Sequence, residues 1–251
     1  MANIIGMGSL YLDGCPAEIG SKYNPGQAIS IGETAQGKEI HWVVVNDMLI
    51  ADRCILTEVS WDDLDAQSLV FGKGVSIGGF SFTARLLQVG TKEDAPNEWD
   101  SALDTVGEDN SLWHWEDMFF WGQEAATRTA SSRAVRGYYS ARYWDNFGAT
   151  NSYPLLGFRP ALVPLASDTL WPSSKAMWWL SEKVMWDDAH LDEKLMLWGG
   201  QNIIFGRLEE LTDYEVILSD RGGAMSNDFG SRLGNGRIVI DRAAISGIQR
   251  I

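Results

Sequence analysis

The chain has 251 residues and a formal net charge of −14, with 45% hydrophobic and 22% charged residues. This composition is typical of a folded protein and excludes intrinsic disorder as the default. No run of about 18 apolar residues occurs, and residues 1–6 lack the basic start and apolar core of a signal peptide, so we expect no membrane insertion and a cytoplasmic location unless the chain leaves as part of a particle.

The acidity weighs against nucleic acid as the main partner, because such binding draws much of its free energy from basic side chains that displace counterions. The favoured interpretation is that the negative charge keeps an assembly soluble. The alternative is that an acidic surface mimics nucleic acid. Cys15 and Cys54 are the only cysteines, which excludes a disulfide framework, and neither has the spacing of a zinc site. We therefore predict no structural metal and no cofactor.

Short runs of β-branched and aromatic residues, separated by Gly and Pro, predict strands over 40–45, 53–56 and 80–87. Two short helices are predicted in the same part of the chain, at 60–67 and 97–106. Ser60 precedes Asp62 and Asp63, which is typical of a capped helix start.

The composition changes after Pro164, and we interpret residues 164–172 as a linker. An amphipathic helix is predicted over 173–186, with Ser173 or Ser174 as its N-cap. We therefore predict two domains, 1–167 and 168–251. Strands of the second domain are expected at 194–198, 202–209, 214–219, 237–241 and 245–251.

The pattern Arg133-x-x-Arg136-Gly137, followed by Gly157-Phe158-Arg159, resembles the closing part of the formylglycine-generating-enzyme branch of the C-type-lectin fold. In that branch an R-x-x-RG turn and a GFR strand enclose an irregular exposed stretch, and Trp-rich loops like 97–100 and 113–118 pack beside the turn. The resemblance covers about 35–165. We expect Arg136 and Arg159 to make structural hydrogen bonds to buried acceptors, and Gly137 and Gly157 to permit the backbone path.

The stretch between these motifs resembles the variable region of proteins diversified by retroelements, and its composition is that of a paratope, since Tyr and Trp give large contact areas while Ser and Asn adapt their hydrogen bonds. The alternative for single aromatics, Trp144 and Phe147 first, is that they fill the core. The predicted ligand-binding residues are Tyr138, Tyr139, Ser140, Arg142, Tyr143, Trp144, Asp145, Asn146, Phe147, Thr150, Asn151 and Tyr153.

No enzymatic activity is predicted. The formylglycine-generating enzymes carry a reactive cysteine in the GFR strand, whereas this chain has Pro160 there and no cysteine beyond Cys54. A general-base constellation could be imagined around His114, with Glu116 and Asp117 behind it and acidic residues at 108–109 before it, but its specificity is poor. The acidic and amide residues at 108–110 are too few to indicate a calcium loop.

The tail resembles an Sm-like domain over 173–251. Residues 195–219 are similar to the first Sm motif, with Gly206, Asp213 and Tyr214 at its key positions, and 237–248 to the second motif as found in the bacterial RNA chaperone. This resemblance implies a small five-stranded β-barrel with an N-terminal helix. Its open edges, expected at 214–219 and 245–251, would pair between subunits in a cyclic homo-oligomer; the alternative is a monomer in which this domain packs on the first.

The uridine pocket of that chaperone uses an aromatic-Lys-His turn, which Ile240-Asp241-Arg242 replaces here, so strong RNA binding is not expected. The two resemblances together imply an α+β fold. They also imply multivalent display of a binding surface for a protein or glycan ligand, in the cytoplasm or on a phage particle. An RNA-binding regulator and an acidic inhibitor of a host nucleic-acid enzyme are the alternatives.

Overall fold

A computed structural model describes residues 2–127, 131–166, 193–212 and 214–251. The predicted helix at 173–186, the linker residues 167–172 and Asp213 lie outside these residues. The α+β prediction is wrong, because 49% of the described residues are in strands and 10% in helices, with three curled sheets. The described α-helices are short, with four to nine residues each.

The first sheet follows the order β2-β1-β5-β6-β14-β9-β8, and β4 also pairs with β1. With strands numbered in chain order, it contains β1 (Asn3–Leu12), β2 (Cys15–Pro16), β4 (Ile29–Gly32), β5 (Glu39–Val45), β6 (Met48–Ala51), β8 (Lys73–Ile77), β9 (Phe80–Arg85) and β14 (Ala161–Pro164).

The second sheet follows the order β12-β11-β10-β13-β7-β3 and shares a buried apolar cluster with the first. Trp42 and Phe82 of the first sheet lie in that cluster together with Trp121 and Phe158 of the second. Its strands are β3 (Ser21–Lys22), β7 (Leu56–Thr57), β10 (Phe119–Ala125), β11 (Ser132–Gly137), β12 (Trp144–Gly148) and β13 (Leu156–Phe158).

Three short α-helices are described, and two confirm the sequence prediction: α1 (Trp61–Ala66) and α2 (Glu98–Val106), with α3 (Asn110–Trp113) following. The Ser60 hydroxyl accepts from the backbone N–H of Asp63 at 3.0 Å, in a capping box. Asn97 caps α2 in the same way. The strand predicted at 53–56 is mostly wrong, because only its last residue is in a strand, the two-residue β7.

The third sheet contains six strands rather than the five expected of the small barrel, and its order is β18-β19-β17-β16-β15-β20. The five strands predicted in this region are confirmed; the extra one is β18. The strands are β15 (Lys194–Gly199), β16 (Asn202–Leu211), β17 (Glu215–Ala224), β18 (Gly230–Arg232), β19 (Arg237–Asp241) and β20 (Gly247–Arg250).

The predicted edge at 214–219 is wrong, because β17 pairs with β16 on one side and β19 on the other. The last strand, β20, does end the sheet, but it lies against the first sheet. The Gln249 side chain accepts from the Ser81 N–H at 2.5 Å and donates back to the Ser81 carbonyl at 3.1 Å. Phe205 also packs on Phe80, with ring centroids 5.3 Å apart.

Candidate ligand-binding groove

Strand β11 of the second sheet ends at a turn that is fixed by a buried arginine. Arg136 is 1% exposed, and its guanidinium donates to the Val89 carbonyl at 3.0 Å and to the Asp100 carboxylate at 2.8 Å. A further N–H reaches the carbonyl of Arg142, across the loop that follows. Burial lowers the pKa of Arg136, and the charge of Asp100 opposes this effect. The arginine therefore ties the loop to the strand before it, which confirms its structural role.

The next two residues have left-handed backbone. Gly137 has φ +99°, and a Cβ there would lie 2.4 Å from the Met118 carbonyl oxygen, so only glycine fits. Tyr138 has φ 76°, which is unusual for a residue with a side chain. Its N–H donates to the carbonyls of Trp115 at 2.8 Å and Met118 at 3.1 Å. These bonds hold a strained residue in place, as is common at functional sites.

Arg159, in the other motif, is fully buried between the rings of Trp99 and Phe120, 5.1 and 4.6 Å from their centroids. It donates to the Trp113 carbonyl at 2.6 Å, which confirms the structural expectation for this residue as well. Gly157 is required by space rather than by φ, because a Cβ would lie 2.5 Å from the Leu56 carbonyl oxygen. The two motifs thus form a buried support.

Six aromatic rings meet above this support. Phe119 begins β10, opposite Gly137 and Leu156, and its ring stacks on that of Tyr138. Tyr139 meets Tyr138 edge-on, with centroids 4.6 Å apart. The other contacts that join the rings are Tyr139–Tyr143 at 4.9 Å, Phe119–Phe147 at 5.2 Å and Phe147–Tyr153 at 5.9 Å. Each aromatic pair of this kind stabilises the arrangement by about 0.5–1.5 kcal/mol.

These six rings surround an open cavity of about 660 Å³, which we call the aromatic groove. Tyr139 is 70% exposed and Tyr153 47% exposed, whereas Phe119 is buried. The remaining rings are half-buried. The rest of the lining consists of Asp145, Pro154, Leu155 and Leu156. The groove therefore has a buried floor and walls that reach solvent.

Among the described residues, Asp145 contributes the only charged side chain to this lining. It is half-buried, and its carboxylate accepts a 2.8 Å hydrogen bond from the N–H of Asn146. Burial, followed by the negative charge of Asp145, raises the pKa of the Tyr143 hydroxyl above its ordinary value. Tyr143 therefore stays a neutral phenol at physiological pH.

Not all of the predicted binding residues reach the groove. Arg142 forms ion pairs with Asp104 at 2.7 Å and Glu108 at 2.6 Å. Half-buried Trp144 donates to the Gly90 carbonyl at 2.9 Å. Trp144 and Asn146 line a second cavity of about 370 Å³ with residues of the 91–94 loop. Ser140 and Thr150 are exposed outside both cavities, and Asn151 is half-buried.

No family model, curated protein or solved structure matches this chain. The assignment of the groove therefore depends on its own geometry.

Sequence reasoning missed the floor of the groove, Phe119, together with Pro154, Leu155 and Leu156. The signal available for Phe119 was its place at the start of an apolar strand beside the Trp-rich loop. Only the register of β10 between β11 and β13 brings it under Tyr138.

The constellation imagined around His114 does not assemble. The His114 imidazole lies 2.9 Å from the Arg53 guanidinium and 3.9 Å from the Asp52 carboxylate. Glu116 instead accepts from Asn110 at 3.2 Å. Asp109 caps α3, and the hydrogen bond from the backbone of Ser111 lowers its pKa.

Within the described residues, no three His, Cys, Asp or Glu side chains come together as metal ligands would. Over the same part of the chain, no helix has the length and apolar character needed to cross a bilayer.

Proposed function

We propose that this protein recognises an external ligand through the aromatic groove. The observation that carries the proposal is the set of six rings around one open cavity, in which Tyr139 and Tyr153 are well exposed. Clustered tyrosines give large contact areas at a low cost in side-chain entropy, which is why they dominate binding hot spots. A cavity of about 660 Å³ has the size of ordinary ligand sites.

The buried support beneath the groove favours this role. Arg136 and Gly137 fix the backbone, and the ring of Phe119 stacks beneath that of Tyr138. A preorganised site loses less free energy on binding than a mobile one, because fewer groups must be ordered. The proposal includes a protein or a glycan as the ligand, and display on a phage particle or in a cytoplasm.

The multivalent part of the proposal requires self-association. The third sheet ends at β18 and β20, and β20 lies against the first sheet through Gln249. A ring closed by strand pairing would therefore need this contact to open or another surface to be used. Light scattering of the purified chain measures the subunit number directly.

The RNA-binding alternative is not favoured by any contact. Arg242, its candidate basic residue, is 6% exposed and donates to the carbonyl of Thr212. Its guanidinium is therefore used within the fold.

The proposal is tested with a glycan array and a random peptide display library, each screened with the full chain. Ligands selected by the wild type should bind at least about tenfold more weakly to Tyr139→Ala and Tyr153→Ala, since hot-spot rings contribute about 1–4 kcal/mol each. Tyr214→Ala is the matched control, because Tyr214 is 80% exposed, lies directly before β17 and is far from the groove in sequence. Unchanged binding by both groove variants would refute the proposal.

A further inference from the structure

The described lining of the aromatic groove contains one acidic side chain and no basic one. It contains six aromatic rings, three apolar residues and one carboxylate, and no Lys, Arg or His among the described residues belongs to it. Aromatic faces carry partial negative charge, and Asp145 carries a full one. The described lining therefore offers ring faces and one carboxylate to a cation, and no basic side chain that would repel it.

We infer that the aromatic groove selects a cationic group, namely the side-chain ammonium or guanidinium of a protein ligand. This inference depends on the proposed function and specifies the chemistry of the ligand. A cation within about 6 Å of an aromatic centroid is attracted by the ring face, and several rings around one cavity can each contribute to this attraction. Neighbouring rings of the groove lie 4.6 to 6.1 Å apart, so one cation can contact more than one of them.

Asp145 adds a carboxylate to the lining of the aromatic groove. Of the described Lys and Arg side chains, none forms an ion pair with it, and the one hydrogen bond it accepts comes from the backbone of Asn146. Nearby carboxylates differ in this respect: Asp100 is paired with Arg136 at 2.8 Å, and Glu108 with Arg142 at 2.6 Å. Asp145 is thus the carboxylate of this region that faces the groove with its charge uncompensated.

Other ligand chemistries fit less well. A phosphate or carboxylate would meet rings and a like charge, with no basic side chain to bind it. A sugar needs several amide or charged side chains to pair its hydroxyls, and the lining offers Asp145 and phenolic hydroxyls alone. A neutral apolar group would leave Asp145 without a partner. The chain's net charge of −14 also favours the approach of cations.

The test uses choline, its neutral isostere 3,3-dimethylbutan-1-ol, Nα-acetyl-lysine amide, Nα-acetyl-arginine amide and N-acetylglucosamine. Binding to the full chain is followed by NMR shifts of the tyrosine ring protons. We expect the cations to bind about tenfold more tightly than the neutral isostere, because the ring faces and the Asp145 carboxylate both attract positive charge. Asp145→Asn should lower this preference, and Asp228→Asn, which makes the same charge change at an exposed residue of the turn between β17 and β18, should leave it unchanged.

Equal binding of choline and its isostere, with no effect of Asp145→Asn, would overturn the inference and leave the groove a ligand site of another kind. Preferential binding of N-acetylglucosamine would overturn it in favour of a glycan. If ligands selected from the array or library depend on Tyr139 while no cation shifts the tyrosine signals, the cation inference fails alone. If the selected ligands are also indifferent to Tyr139, the proposed function fails with it.

Discussion

The ring of Tyr138 stacks on that of Phe119 with centroids 4.8 Å apart and 6° between the ring planes. Phe119 is 8% exposed and belongs to the core cluster, whereas Tyr138 is half-buried in the groove. One pair therefore connects the interior of the protein with its candidate binding surface.

Truncating a buried ring and an exposed ring of this network should affect different properties of the protein. Phe119→Ala should lower the free energy of unfolding by about 3–5 kcal/mol, because it leaves a cavity in the core. Tyr139→Ala should lower it by no more than about 1 kcal/mol and act on binding instead, since this ring is mostly exposed. Urea denaturation followed by tryptophan fluorescence measures both. A large stability loss in Tyr139→Ala would mean that the exposed ring belongs to the fold.

Gly137→Ala should destabilise the protein by more than about 2 kcal/mol, because the new Cβ overlaps the Met118 carbonyl and φ is positive. Gly20→Ala is the control: its φ is +82°, but nothing lies within 4 Å of the added Cβ, so it should cost about 1 kcal/mol for conformation alone. Thermal denaturation by circular dichroism separates the two. Equal losses would show that the turn relaxes around the methyl group.

Arg136→Ala should cost about 3–5 kcal/mol of stability, since it removes the buried guanidinium that pairs with Asp100 and donates to the Val89 carbonyl. Arg142→Ala removes ion pairs with the more exposed Asp104 and Glu108 and should cost about 0–1 kcal/mol. Chemical denaturation at low and high salt distinguishes them, because salt weakens only the exposed pairs. Comparable losses would contradict the distinction between the two arginines.

The two cysteines should differ in reactivity. Burial raises the pKa of the Cys54 thiol to about 11, whereas Cys15 is exposed. Iodoacetamide at pH 8 should therefore modify Cys15 in the native protein and both thiols in urea, as read by peptide mass spectrometry. Rapid native labelling of Cys54 would reveal local opening around Arg159.

The same raised pKa has a consequence for stability. The folded thiol of Cys54 keeps its proton up to a higher pH than the unfolded thiol, whose ordinary pKa is 9.0. Its contribution to stability is complete below about pH 9 and is lost as the pH rises to about 11. Denaturation midpoints of the wild type and Cys54→Ala should therefore converge over this interval. Parallel curves would mean that other groups cause the loss of stability at alkaline pH.

Local features were predictable from the sequence and long-range ones were not. The Ser60 cap was visible because capping depends on a few adjacent residues. The strand β18 was missed because Gly230–Arg232 shows no apolar alternation, and its pairing with β19 alone defines it. The α+β expectation came from resemblance, although the strand patterns themselves already indicated a β-rich chain.

The groove was predictable only in part, because some of its residues are adjacent in the chain and others come together through strand pairing. Tyr138, Tyr139 and Tyr143 stand close together in the chain, so their clustering could be expected from composition. Phe119 joins them only through strand register, which a single sequence does not reveal. Trp144 is turned toward Gly90 by a hydrogen bond that sequence patterns do not encode.

Met196, Trp198 and Ile203 of the third sheet belong to the same buried cluster as the first two sheets. Loosening either part would thus remove contacts from the other, and heating should melt the described regions in one cooperative calorimetric transition rather than two. A force that a bound ligand exerted on the tyrosines would consequently be transmitted to all three sheets.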